Sequence, residues 1–182
     1  MRSFRATIIL ISGFILISGF IRDDRWYQYQ SKKFGYSIEF PQIPEESTEV
    51  IPSAIGELTL NMCMFDASEV KNSENLIYLV NRTTYPDTLV NSDFKEKMDP
   101  FFRYSIDGAV TNAEGKLMSE KIIEINGYPG REIKIDYQSG IGIINMRIYM
   151  IKNNVYMLET ISEASKDDNA STKRFFDSFR LL

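Results

Sequence analysis

Apolar and polar positions alternate at period two over several short runs of this chain, with turn residues between the runs and two stretches of helical spacing. Gly35-Tyr36-Ser37-Ile38-Glu39-Phe40 sets Tyr36, Ile38 and Phe40 on one side and Ser37 and Glu39 on the other, the signature of a half-buried strand. Residues 26–30 form a second β-favouring run, and Ser31-Lys32-Lys33-Phe34 joins the two. A hairpin is therefore expected, stopped by Pro41 and Pro44. Further on, Leu58, Leu60, Met62 and Met64 share one face of a strand opposite Glu57, Thr59 and Asn61. Residues 76–80 are continuously apolar, which predicts a strand covered on both faces.

Helical spacing begins at Asp99-Pro100. An aspartate can accept from the free amides of a first turn, and proline fits the first helical position because its missing N–H has no partner there. Phe102, Ile106, Ala109 and Ala113 follow at helical intervals with Val110 alongside, and Gly115 is the expected stop. Such a stripe belongs on a sheet face. From Lys116 the period returns to two. Ile123 and Ile125 lead into Asn126-Gly127, a hairpin-turn pair. Ile133, Ile135 and Tyr137 alternate with Glu132, Lys134 and Asp136, Ser139-Gly140 turns the chain, and Ile144, Met146, Ile148 and Met150 form the next apolar face. Asn153-Asn154 is the third expected turn, and residues 155–162 return. Four strands with short turns predict an antiparallel meander over 116–162. A last helix is expected after a cap at Asp168 or Asn169, presenting Phe175, Phe176 and Phe179. Burying three phenylalanines contributes on the order of 5–9 kcal/mol gross, comparable to the net stability of a domain, so this helix is read as structural rather than as a docking face.

The beginning of the chain is different. Met1-Arg2-Ser3-Phe4-Arg5 is positive, and residues 6–21 carry no charge. As a helix that run spans about 24 Å, short of a bilayer core of about 30 Å. A positive start and a short apolar run fit a secretory signal, with Ile17-Ser18-Gly19 the best small-residue cleavage context and no A-x-A present. An uncleaved single-span anchor and a buried core helix are the alternatives. The first two place the rest of the chain outside the cytoplasm (periplasmic, cell-surface or secreted), the second with an anchor in the inner or cytoplasmic membrane, and Arg2 and Arg5 favour an N-terminus left inside. Two regions follow: 1–22 as signal or anchor, and 23–182 as one folded domain without linker or repeat.

Charge and composition narrow the chemistry. Three of the 21 basic residues and none of the 25 acidic ones fall in the first 22 positions, so the folded part is more acidic than the formal net charge of −4. That sign opposes nucleic acid and anionic lipid; membrane contact is expected only through residues 6–21, if they are retained. There is no histidine, which removes histidine triads and histidine-ligated metals. Phosphate-loop, dinucleotide and nucleophile-elbow motifs are absent, and Gly140-Ile141-Gly142 is a two-glycine turn. Cys63 is the lone cysteine, read as a small residue in a sheet. Asp167-Asp168-Asn169 offers oxygens but lacks calcium-loop spacing, so it is read as a helix cap. Asn81-Arg82-Thr83 and Asn169-Ala170-Ser171 match the glycosylation sequon and are given no weight. No catalytic, cofactor-binding or metal-binding residue is assigned, and no cofactor is expected.

Taken together, several short motifs resemble the PsbP-like superfamily, in particular its bacterial exported members of uncharacterised role. They are Phe34-Gly35-Tyr36-Ser37-Ile38-Glu39-Phe40-Pro41, Gly115-Lys116-Leu117 with Ser119-Glu120-Lys121, Asn126-Gly127-Tyr128-Pro129-Gly130-Arg131-Glu132, Arg147-Ile148-Tyr149 and Phe175-Phe176-Asp177-Ser178-Phe179. The resemblance spans nearly all of residues 26–181. It implies an α+β fold, an α/β/α sandwich with a central antiparallel sheet, here preceded by an N-terminal hydrophobic helix. Known relatives dock onto other proteins, a photosystem and a small GTPase, but no partner-binding residue of theirs matches here, and metal contacts through histidine have no counterpart. Arg131 is read either as a structural partner, of Glu132's neighbours or of a cross-strand acid, or as a ligand-binding group. The expectation is a non-catalytic extracytoplasmic protein-binding or accessory module of unknown partner. The alternatives are a carrier of a lipid or small molecule in a pocket between sheet and helices, or a histidine-independent enzyme, which a deep pocket with two close carboxylates would favour.

Overall fold

Period-two patterning and turn residues build most of the chain. The computed structural model describes residues 26–53 and 55–182; the expected hydrophobic helix over 6–21 and the division at residue 22 lie outside them. Strands β1 (Tyr27–Ser31) and β2 (Tyr36–Phe40) form the expected hairpin, with Gly35 in the left-handed region at φ +69°. The meander is also as expected: β6 (Lys116–Ile125), β7 (Tyr128–Tyr137), β8 (Gly142–Ile151) and β9 (Asn154–Glu163) pair antiparallel in sequence order. Its first turn uses Asn126 and Gly127, both at positive φ. The third turn lies one residue earlier than Asn153-Asn154, with Lys152 at φ +54° and Asn154 already paired to Ile151.

Three further strands extend the sheet on the β9 side: β5 (Ile77–Thr84), β4 (Gly56–Asp66) and β3 (Glu45–Ser53). The edge strand β3 was not expected. Its residues are almost all exposed, so no alternation marks it, and its strand character comes from backbone pairing with β4 alone. The result is one seven-stranded antiparallel sheet in the order β3-β4-β5-β9-β8-β7-β6.

The layering corrects the expected α/β/α sandwich. One face carries a helix, α1 (Lys95–Asn112). The opposite face is covered chiefly by a second sheet, β1-β2 with the two-residue β10 (Arg180–Leu181), next to a nine-residue helix, α2 (Ala170–Ser178). With ten strands, two helices and a short 3-10 turn at Ala164–Lys166, the described chain is mostly β. The reason is size. Nine helical residues are about 14 Å long and cannot cover the face of a seven-stranded sheet, so the β1-β2 hairpin supplies the missing apolar cover through Tyr36, Ile38 and Phe40.

The α1 boundaries also differ from expectation. The helix begins at Lys95, four residues before Asp99, without a side-chain cap, and Pro100 sits inside it. Asp99 is drawn to Arg131 instead. At the other end Glu114, not Gly115, takes the left-handed conformation (φ +47°), and the Gly115 N–H donates to the Val110 carbonyl. Gly115 is needed for a different reason: a Cβ there would lie 2.4 Å from the Asp136 carbonyl oxygen.

Each face of the large sheet has its own core. On the α1 side Met98, Phe102 and Ile106 meet Ile133, Ile135, Met146, Ile148 and Met150. On the other, Phe175, Phe176 and Phe179 meet Tyr36, Phe40, Tyr78, Tyr149 and Tyr156. Strand β4 serves both. Leu58 is buried on the α1 side, whereas Cys63 and Phe65 are buried on the other and Met64 is exposed, so the predicted single apolar face of that strand holds only for its first half. Likewise β5 is sealed on one face by Tyr78 and Val80, but its other face, with Ile77 and Leu79, is only half-buried. Both cores are built from residues between 26 and 182, and this segment is expected to fold on its own. Among the described residues no helix is long and apolar enough to cross a membrane.

Candidate functional site

Helix α1 lies over β7 and leaves the β4-β5-β9 part of the same sheet face uncovered. The result is a groove of about 520 Å³ between one flank of α1, with Tyr104, Ser105, Gly108, Ala109 and Asn112, and a floor from the sheet, with Leu58, Leu60, Ile144, Met146 and Met157. Spacing explains the helical wall: 105, 108, 109 and 112 fall on one side of a 3.6-residue helix. The volume is in the range that holds small molecules.

Three polar side chains, Glu159, Asn81 and the buried Thr83, break the apolar floor. Glu159 follows Met157 and precedes Ile161 on the α1-side face of β9, and Asn81 of β5 is its diagonal cross-strand neighbour, being opposite Met157. Neighbouring groups enclose Glu159 on nearly every side, and its residual exposure is to the groove. Burial alone pushes its carboxyl up to about 7, because the charged form loses its hydration and gains no counter-ion. The Oδ1 of Asn81 is buried without a hydrogen-bond partner. Tyr85, Tyr104 and Tyr137 add ring faces and hydroxyls, and among the described residues no lysine or arginine lines the groove. Chemically the site can enclose the apolar part of a molecule and accept hydrogen bonds from a polar group that the molecule carries.

The residues weighed from sequence go elsewhere. Arg131 is buried beneath α1, its guanidinium 4.7 Å from the centre of the Phe102 ring, and pairs with Asp99 and, at 3.3 Å, with Glu120. It clamps α1 to the β6-β7 edge, as the cross-strand reading expected. Asp167 and Asp168 each hold the Lys134 ammonium at 2.8 Å, while Asn169 caps α2 by accepting from the Thr172 N–H at 2.7 Å. Among the described residues no group of three or more metal-ligating side chains converges. Neither sequon asparagine is freely presented: the Asn81 amide oxygen is buried in the groove floor, and the Asn169 and Asn75 amides bond each other reciprocally.

Cys63 is buried against Tyr29 and Tyr36, and desolvation pushes its thiol up to about 12. A thiol in that state is not nucleophilic at neutral pH. Native protein is expected to leave an aromatic disulfide reagent unreacted over an hour at pH 8, and to consume one equivalent when unfolded in urea. Rapid reaction of the native protein would contradict the burial.

Two residues were missed from sequence. Asn75, fully buried, is a hub that also accepts from the Thr172 hydroxyl at 3.0 Å; no local pattern marks it. Glu159 did leave a signal, as an acid in the row Val155, Met157, Glu159, Ile161 where period two calls for apolar residues.

No family model matches the chain, and no curated protein does. Among solved structures it is similar to the solution structure of cyanobacterial PsbP (CyanoP) from Synechocystis sp. PCC 6803, with a TM-score of 0.53 and 11% identity, covering 93% of this chain and all of that one. The likeness is one of fold. It accords with the motifs from Phe34-Gly35 to Phe175-Phe176. A Pseudomonas aeruginosa protein of unknown function overlaps 78% of this chain and 85% of its own at 14% identity, but with a TM-score of 0.33 it carries no argument.

Proposed function

We propose that the chain is a non-catalytic accessory module that works outside the cytoplasm by binding, and that the groove beside α1 is its binding surface. The observation that carries this reading is the groove itself: a concavity of about 520 Å³ with a largely apolar floor and, among the described residues, a single carboxylate. Acid–base hydrolysis of the kind carried out by paired carboxylates needs a second acid beside the first, and the described residues of the groove lining offer none. The docking habit implied by the PsbP-like resemblance supports a second reading, a protein partner. A concave site of this size favours the small molecule.

Gly108 provides the test. It lies on the groove wall, and a side chain there meets nothing within 4 Å. Gly108→Leu therefore fills the groove while removing a helix-interior glycine that costs about 1 kcal/mol relative to alanine. Nile red, a neutral apolar dye, is expected to bind the segment 26–182 at one saturable site. Gly108→Leu is expected to weaken that binding at least about tenfold, or 1.4 kcal/mol, without lowering the melting temperature. Equal affinity in the two proteins would remove the groove from consideration. Export is tested separately. A reporter active only outside the cytoplasm, fused after Leu182 in the full chain, is expected to be active, and a stable but inactive fusion would refute that part of the reading.

A further inference from the structure

We infer that the groove selects an apolar molecule carrying a protonated amine, with Glu159 as its counter-ion. This rests on the groove being a binding surface and adds the chemistry of what it binds.

The first argument is contrast. Among the described residues the other half-buried carboxylates are all satisfied. Glu39 accepts from Arg174, Glu132 from Arg147 and Asp167 from Lys134, each within 2.8 Å, and Glu74 and Asp136 accept the backbone N–H groups of Ser171 and Gly140. Glu159 alone of this set has only its desolvation. Buried charges in folded proteins are paired, so an unpaired one facing a cavity marks the place where a cation belongs. The second argument is the inventory of donors and acceptors. The Glu159 carboxylate and the unpartnered Oδ1 of its diagonal neighbour Asn81 are both acceptors, and an ammonium is a donor with no acceptor. The third is the wall. Tyr85, Tyr104 and Tyr137 line the same groove, and aromatic ring faces attract cations. With no lysine or arginine among the described residues of the lining, none of them offers a positive charge to a carboxylate ligand. The volume selects a small molecule over a macromolecule, and Leu58, Leu60, Met146 and Met157 give its apolar part a dry floor.

Three ligands with one chain length test this: n-octylamine, n-octanol and n-octanoate, each competing with Nile red on the segment 26–182 at pH 8. Octylamine is expected to displace the dye at a concentration about tenfold lower than octanol, since a hydrogen bond to a charged group in a desolvated site is worth at least that factor. Octanoate is expected to be the weakest. In Glu159→Gln the amine should lose its advantage while octanol is unchanged. Equal displacement by amine and alcohol in the wild-type protein would overturn the amine inference and leave the groove reading standing. Displacement insensitive to Gly108→Leu, or none by any of the three, would overturn the groove reading and the inference with it. The wild-type comparison needs no variant, so the test survives a poorly folding substitution.

Discussion

Phe179→Ala is expected to lower the melting temperature of the segment 26–182 by roughly 6–20 °C, because truncating a buried phenylalanine costs about 3–5 kcal/mol and each kcal/mol moves a domain of this size by about 2–4 °C. Phe179 is 3% exposed. Its ring stacks on Tyr149 with planes 5° apart and lies within 5.8 Å, centre to centre, of Tyr36 and Tyr156. Removing it opens a hole where α2, the β1-β2 sheet and the large sheet meet. Its position also differs from the sequence pattern. Phe175 and Phe176 lie in α2, but Phe179 follows the helix in extended backbone, at ψ 129°, so tertiary packing and not helical spacing brings it to the others. Ile122→Ala, at a site 80% exposed, is the control and should leave melting within about 2 °C, as surface substitutions do. A Phe179→Ala shift no larger than the control's would show that the aromatic cluster does not hold the two layers together.

Glu159→Gln is expected to stabilise the protein by about 2–3 kcal/mol at pH 8 and by little at pH 4.5. The sign follows from burial. The folded carboxyl is raised from an ordinary 4.5 to about 7. Below about 4.5 it is protonated whether folded or unfolded and costs nothing. As the pH rises from about 4.5 to about 7 the unfolded chain gives up the proton while the folded carboxyl keeps it, so stability falls across that window and levels off above it. Tyr85, Tyr104 and Tyr137 share the groove with Glu159, and among the described residues no lysine or arginine lines the groove to offset the charge. Urea midpoints of the two proteins at pH 4.5 and 8 check this. A difference that is the same at both would mean that Glu159 is ionised and satisfied throughout. The penalty is also what a bound cation would relieve, which ties the stability measurement to the proposed ligand.

Much of the architecture is written locally. The β6–β9 meander could be read from alternation and from Asn126-Gly127 because a strand with one covered face must alternate, and a tight hairpin needs residues that tolerate positive φ. The Asn169 cap and the burial of Phe175 and Phe176 are local in the same sense. What has no local cause was not legible. Strand β3 is exposed along nearly its whole length, and only the free edge of β4 makes it a strand. The phase of burial in β4 changes between Leu58 and Cys63, because different layers cover its two ends. Helix α1 begins early and uncapped, since Asp99 serves Arg131 on a neighbouring strand. The candidate site belongs to both categories. An acid at position 159 in an apolar row is visible in the sequence as a local conflict. That it faces a groove beside Asn81 depends on where α1 stops covering the sheet, and that is set by the packing of α1 on β7.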